Sequence, residues 1–245
     1  MDNSRVKPSI FVFDFDGVIC NSIYECFVST TIAFGKFVNL TEDVPEFLRQ
    51  HFEQFTRIRK YAAPIGEFYI IQCILHNLEN ASSYHDFLKL KDKYQRQCDE
   101  FRDIVFQTRA ELFEKHRREW LAYHTFYTEV IDFIKIRLVN SFILTTKNHQ
   151  AVIHLFDFIK LKFPEDRIIS VAYGGTKKSK LEELTQQFSG RHIVFIDDHP
   201  LHLKDIIIPN VTCYLANWGY WAGDSSEFSD VNLNALSLHQ LKGLI

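Results

Sequence analysis

Four short apolar runs punctuate the chain: Ile10 to Phe13, Ser141 to Leu144, Ile168 to Val171 and Ile193 to Ile196. Each is continuous rather than alternating and rich in β-branched or aromatic side chains, the pattern of a strand buried on both faces. A fifth run, Val211 to Leu215, follows the turn-forming pair Pro209-Asn210. Between the runs the apolar positions switch to helical spacing. Val152, Leu155, Phe156 and Ile159 mark one face of a helix over 150–160, and further helices are predicted over 178–188 and 200–206. Strands alternating with helices of this length predict an α/β fold, a parallel sheet core with helices on both faces.

The interval 21–124 has a different rhythm. Phe87, Leu88, Tyr94, Phe101, Ile104 and Val105 exemplify amphipathic helical spacing, and no run there reads as a strand. Turn signals at Asp43-Val44-Pro45, at Ala63 to Gly66 and at Asn80 to Ser83 divide it into several helices. The expected organisation is a core from 1–20 and 125–245, interrupted by an inserted all-α domain over 21–124. The polar stretch Asp224 to Asp230 is expected to be a loop, and Leu236 to Leu244 a closing helix.

Composition narrows the functional classes. The 245 residues are 46% hydrophobic, enough for a sizeable core, and the formal charge of −3 gives no global attraction to nucleic acid or to an acidic membrane. The 23 phenylalanines are read as core. No apolar stretch is long enough to span a bilayer. Cys20, Cys26, Cys73, Cys98 and Cys213 are odd in number and lack paired metal-ligand spacing, which predicts free thiols in a reducing, cytoplasmic setting. Local sites must therefore carry the function.

The candidate chemistry lies where the apolar runs end. Asp14 and Asp16, two apart on an extended backbone, aim their side chains to the same side. Two close carboxylates repel, so the pair favours a bound cation or a raised pKa on one member. Taken alone, Asp16-Gly17 could equally be a plain turn. Thr145 closes the second run, Asp197-Asp198 the fourth, and a lysine follows the third in GGTKKSK. In open α/β sheets ligands bind at the carboxyl ends of the strands, so these groups share one expected crevice.

In that order the motifs resemble those of the haloacid dehalogenase superfamily, most of whose members are phosphatases: DFDGV at Asp14 to Val18, the apolar run ending in Thr145, a lysine at the head of a helix, and IDD at Ile196 to Asp198. The resemblance spans the sheet portion and implies a Rossmann-like core. The insert sits where members with a C1-type cap carry theirs. The stretch Thr145-Thr146-Lys147 and Trp218 to Tyr220 are similar to the phosphoglycolate phosphatase branch, which adds Thr146 as a substrate contact.

The resemblance implies Asp14 as the nucleophile that becomes an aspartyl-phosphate, and Asp16 as the acid and base. It gives Thr145 as a phosphoryl hydrogen-bond donor. Asp14, Asp198 and the backbone carbonyl of Asp16 would hold Mg²⁺. Among the lysines, Lys177 is preferred because Leu181 and Leu184 then fall on the apolar face of its helix; Lys180 is second and Lys178 third. Relatives often carry Asp or Asn where this chain has His202, and His199 with His202 could instead favour Zn²⁺ or Mn²⁺. Arg57, Arg59 and Lys60, with Arg109 beside Trp120, are candidates in the cap for gripping a second anionic group, or equally exposed helix faces. The implied activity is hydrolysis of a small phosphorylated metabolite. A phosphomutase, or a binding module that has lost catalysis, is the alternative. Oligomeric state is not legible.

Overall fold

The computed structural model describes residues 8–172, 174–221 and 233–244. The chain forms two compact units, one from 1–21 with 126–245 and the other from 22–125. The loop expected over Asp224 to Asp230 lies outside the described residues.

Strand β1 (Ile10–Phe13) opens the first unit; short strands β2 (Cys20–Asn21) and β3 (Thr125–Phe126) stand where the chain leaves it and returns. Five further strands follow: β4 (Ser141–Thr145), β5 (Ile168–Ser170), β6 (Ile193–Asp197), β7 (Val211–Ala216) and β8 (Asn234–Leu236). Among the described residues, six strands form one sheet in the order β5-β4-β1-β6-β7-β8, with every pairing parallel. The sheet thus has the α/β, Rossmann-like architecture expected from the apolar runs. β8 is an addition, since Asn-Ala-Leu offers no apolar run and the closing helix starts only after it, at Leu238.

The continuous runs are buried on both faces because helices cover both. Ile10 and Val12 pack with Phe142, Leu144, Ile193 and Phe195 beneath Leu181 and Leu184 of the helix Lys177–Gln187. Phe11 and Phe13 turn the other way, edge-on to Phe133 of the helix Thr128–Ile136. Phe15 meets Phe156 of the helix His149–Phe158 on that same side. Each fully buried aromatic or aliphatic side chain contributes roughly 1.5–3 kcal/mol relative to leaving it exposed.

β1 lies between β4 and β6, and the chain builds outward from it first through β4 and β5, then through β6 and β7. In open α/β sheets, ligands bind at the carboxyl ends of the strands where such a reversal occurs.

The second unit is helical: α1 (Ile23–Val38), α2 (Val44–Arg59), α3 (Phe68–Leu75), α4 (Tyr84–Lys93), α5 (Gln95–Lys115) and α6 (Arg117–Ala122). The turn signals become helix starts. Asp43 accepts from the Glu46 N–H with Pro45 in the first turn, and Ser83 accepts from the Asp86 N–H. Phe27, Phe34, Phe55, Phe68 and Phe101 fill the centre. Glu25, fully buried on α1, is bonded at 2.8 and 2.7 Å by Arg109, at 3.1 Å by the Trp120 indole N–H and at 2.6 Å by the Ser29 hydroxyl. Among the described residues, no helix is long and apolar enough to cross a membrane.

Candidate active site

Register explains the first contact. Phe13 pairs with Ile196, and the Asp14 N–H donates to the Ile196 carbonyl at 2.9 Å, so the next residues in line are Asp14 and Asp197. Residues in register on adjacent strands present their side chains on the same face. Lys177 Nζ bridges the two, 2.9 Å from Asp14 Oδ2 and 2.6 Å from Asp197 Oδ2. It can do so because Thr176 caps the helix, accepting from the Ser179 N–H, and places Lys177 at the first helical position. Asp14 and Lys177 are both buried, and Asp197 is fully so.

Burial pushes the Asp14 carboxyl above its usual range, and the opposing pull of Lys177 does not cancel this with Asp197 alongside. Asp197 is subject to the same desolvation, yet the Lys177 ammonium and the His202 ring outweigh it and hold its carboxyl well below the usual range. Lys177, though desolvated, is raised by the two carboxylates. The ammonium thus stays charged across the ordinary pH range.

Asp16 has its own cation. Lys147 Nζ lies 3.0 Å from Asp16 Oδ1 and 3.3 Å from Oδ2, and its side chain is 3% exposed. Lys147 and Lys177 are the two buried lysines among the described residues. The turn after β4 fixes Lys147 at both ends: its N–H donates to Thr145 Oγ1 at 3.1 Å, and its carbonyl accepts from Ser170 Oγ at 2.7 Å. The sequence pattern marked Lys147 only as part of a resemblance. Its two positions of spacing from Thr145 do not reveal which way the side chain folds.

Asp198 occupies a cradle of small residues. A Cβ on Gly17 would fall 2.2 Å from Asp198 Oδ2, and one on Gly219 would fall 2.2 Å from Asp198 Cβ. Gly17 also has φ +86°, a conformation open to glycine. The Tyr220 N–H donates to Asp198 Oδ2 at 2.9 Å, and the Trp218 indole reaches the Val18 carbonyl at 3.0 Å. The Trp218 to Tyr220 segment therefore serves to seat Asp198 and the turn after β1.

The remaining candidates fall elsewhere. Thr146 is exposed, Lys178 is exposed, and Lys180 pairs with Glu183 one turn along its helix at 2.8 and 2.9 Å. In the helical unit Arg57 is exposed, whereas Arg59 is buried, donating to the Ala62 carbonyl at 2.6 Å with its guanidinium over the Phe68 ring. Arg109 is engaged by Glu25. His202 Nδ1 lies 3.0 Å from Asp197 Oδ1. Asp14, Asp197 and His202 bring ligand atoms within 4.8 Å of one another, but the Lys177 ammonium already bonds both carboxylates and lies 3.3 Å from the His202 nitrogen. A soft-metal site through His202 would have to displace that ammonium.

The donor set suits a hard divalent ion. Asp14 and Asp197 share the Lys177 ammonium and Asp16 faces that of Lys147, so three carboxylates meet two ammoniums, while Asp198 sits against the Gly17 turn with the Tyr220 N–H on its Oδ2.

No protein-family model matches the sequence, and no curated protein matches it. Solved structures do. A haloacid dehalogenase-like family hydrolase from Streptococcus pneumoniae is 13% identical with a TM-score of 0.61, covering 96% of this chain and 97% of its own. A structure titled a "predicted phosphoglycolate phosphatase" from Haemophilus somnus is 12% identical with a TM-score of 0.57, covering 97% of each chain. A haloacid dehalogenase family hydrolase from Deinococcus radiodurans, with bound phosphate and sodium, is 14% identical with a TM-score of 0.54, covering 98% of each chain. Over nearly its whole length, the chain has the fold of the haloacid dehalogenase-like hydrolases.

Proposed function

We propose that the chain is a Mg²⁺-dependent phosphatase that hydrolyses a small phosphorylated metabolite through an aspartyl-phosphate on Asp14. The observation that carries this reading is the Lys177 ammonium bridging Asp14 and Asp197 at the carboxyl ends of adjacent strands. A buried cation there orients a carboxylate nucleophile and offers a donor to a phosphoryl oxygen. The neighbour with bound phosphate lends support from the same fold.

In this mechanism Asp14 attacks phosphorus, the bond from phosphorus to the substrate oxygen breaks, and Asp16 delivers a proton to that leaving oxygen. Water then attacks phosphorus, Asp16 takes its proton, and the bond to Asp14 breaks to release phosphate. Thr145 Oγ1, which accepts from the Lys147 N–H, is left with its own proton to donate to a phosphoryl oxygen. Asp14, Asp198 and the carbonyl of Asp16 would hold the Mg²⁺, which when bound offsets the repulsion between carboxylate nucleophile and phosphate. Asp197 holds Lys177 in place, and His202 holds Asp197.

The helical unit is the segment to which substrate choice is assigned on this reading, with Arg57 as its exposed basic candidate. The five cysteines are free, in keeping with work in a reducing compartment such as the cytoplasm.

The test is release of phosphate from a generic aryl phosphate, with Mg²⁺ and with chelator, for the native chain and Asp14→Asn. Metal-dependent release that the substitution abolishes is expected. Equal release by both proteins would contradict the assignment.

A further inference from the structure

Lys147 is held with a care that a surface-pairing lysine does not need. Its side chain is 3% exposed, whereas the lysines paired on the helical surface, such as Lys89 and Lys93, are 65% and 57% exposed. A desolvated ammonium requires an anion, and here both oxygens of Asp16 supply it. That creates a conflict at the site proposed above. A carboxylate whose two oxygens are spanned by one ammonium is not free to turn an oxygen toward the leaving group of a substrate.

We propose that Lys147 is a second cation of the phosphoryl site, resting on Asp16 and passing to a phosphoryl oxygen when the dianion binds, so that phosphate binding itself parts Lys147 from Asp16. This rests on the phosphatase reading.

Three observations carry the exchange. First, reach: if Asp16 contacts the leaving oxygen, then Lys147 Nζ, 3.0 Å from Asp16, lies within two hydrogen-bond lengths, about 6 Å, of it. Second, anchoring: the backbone of Lys147 is pinned by Thr145 and Ser170, so a change of partner involves the side-chain tip and not the loop. Third, surroundings: the Phe15 ring centroid lies 5.8 Å from the ammonium, an apolar face that tolerates a cation between its two anionic partners. A phosphoryl dianion offers more charge and more acceptor oxygens than the carboxylate, which gives the exchange its direction.

The test is a double-mutant cycle read by calorimetric binding of inorganic phosphate with Mg²⁺ present, on the full chain. Asp16→Asn removes the carboxylate charge that Lys147 rests on and is expected to tighten phosphate binding by about tenfold, the scale of one charge-assisted hydrogen bond. In a Lys147→Met background the same substitution is expected to change affinity by less than about twofold, because its effect passes through Lys147. Lys147→Arg should restore most of the coupling, and Lys147→Gln serves the cycle if Lys147→Met does not fold. An equal gain from Asp16→Asn in both backgrounds would overturn the exchange, since the carboxylate would then act on phosphate directly. No gain in the native background would overturn it too. Absence of phosphate binding in every variant would overturn both the exchange and the phosphatase reading, whereas binding without coupling overturns the exchange alone.

Discussion

Lys177 Nζ lies 2.9 Å from Asp14 Oδ2, in a place that the register of β1 against β6 and the cap of the following helix jointly determine. Two carboxylates share this ammonium, which keeps Asp197 ionised and leaves Asp14 the more basic of the two. The lysine therefore does two things at once: it aims the proposed nucleophile and keeps a permanent positive charge beside it.

Replacing that ammonium should cost catalysis far more than binding. Lys177→Met is expected to lower kcat on an aryl phosphate by about 10² to 10³-fold, the cost of removing one preorganised donor to developing charge. Lys180→Ala, which breaks only a pairing with Glu183 on the helix, should stay within about twofold. Steady-state kinetics of both variants decide which lysine serves the site.

The seat of Asp198 predicts a metal phenotype from residues that carry no functional group. A methyl at Gly219 or Gly17 would fall 2.2 Å from the Asp198 side chain, so the carboxylate must move. Gly219→Ala is expected to raise the Mg²⁺ concentration for half-maximal phosphate release by at least about tenfold, the scale of displaced support around a metal ligand. Circular dichroism should show the helical content unchanged.

Arg109 should behave as a stabiliser of the helical unit. Arg109→Ala leaves the fully buried Glu25 without its cation, and breaking such a pair costs about 3–5 kcal/mol. Urea unfolding should show that loss, while Arg57→Ala, at an exposed position, should fall within about 0.5 kcal/mol of the native chain.

Acid should erase one helix cap in a defined window. Hydrogen bonds from Ser82 and Ser83 hold the Asp86 carboxyl down at about 2, below its unfolded value. A depressed carboxylate stabilises the folded state above its unfolded pKa and loses that contribution as pH falls through the folded one. The Tm difference between the native chain and Asp86→Ala should be constant above about pH 5 and shrink between about pH 4 and about pH 2.

The strands were legible because a sheet covered on both faces needs unbroken apolar runs, and Ile10 to Phe13 or Ile193 to Ile196 have few other uses. β8 was not, since at the sheet edge Asn234 and Ala235 are exposed and Leu236 alone is buried. At the site, Lys177 was preferred because Leu181 and Leu184 match the apolar face of the helix that follows this lysine in the proteins the sequence resembles, and its ammonium lies 2.9 Å from Asp14. The pairing of Lys147 with Asp16 depends on a turn and on side-chain direction, and neither leaves a periodic trace. Arg59 and Arg109 could not be separated from exposed arginines by pattern, because their partners, the Ala62 carbonyl and Glu25, become neighbours only when the helices pack or end.

The central claim is that a phosphoryl group is carried on Asp14. Brief reaction with an aryl phosphate and Mg²⁺, followed by borohydride reduction and peptide mass spectrometry, traps an acyl phosphate as the corresponding alcohol. The account predicts homoserine at position 14, dependent on substrate and absent from Lys177→Met at the same reaction time. Phosphate release at full rate with Asp14 unmodified, or the reduced residue at another aspartate, would contradict it.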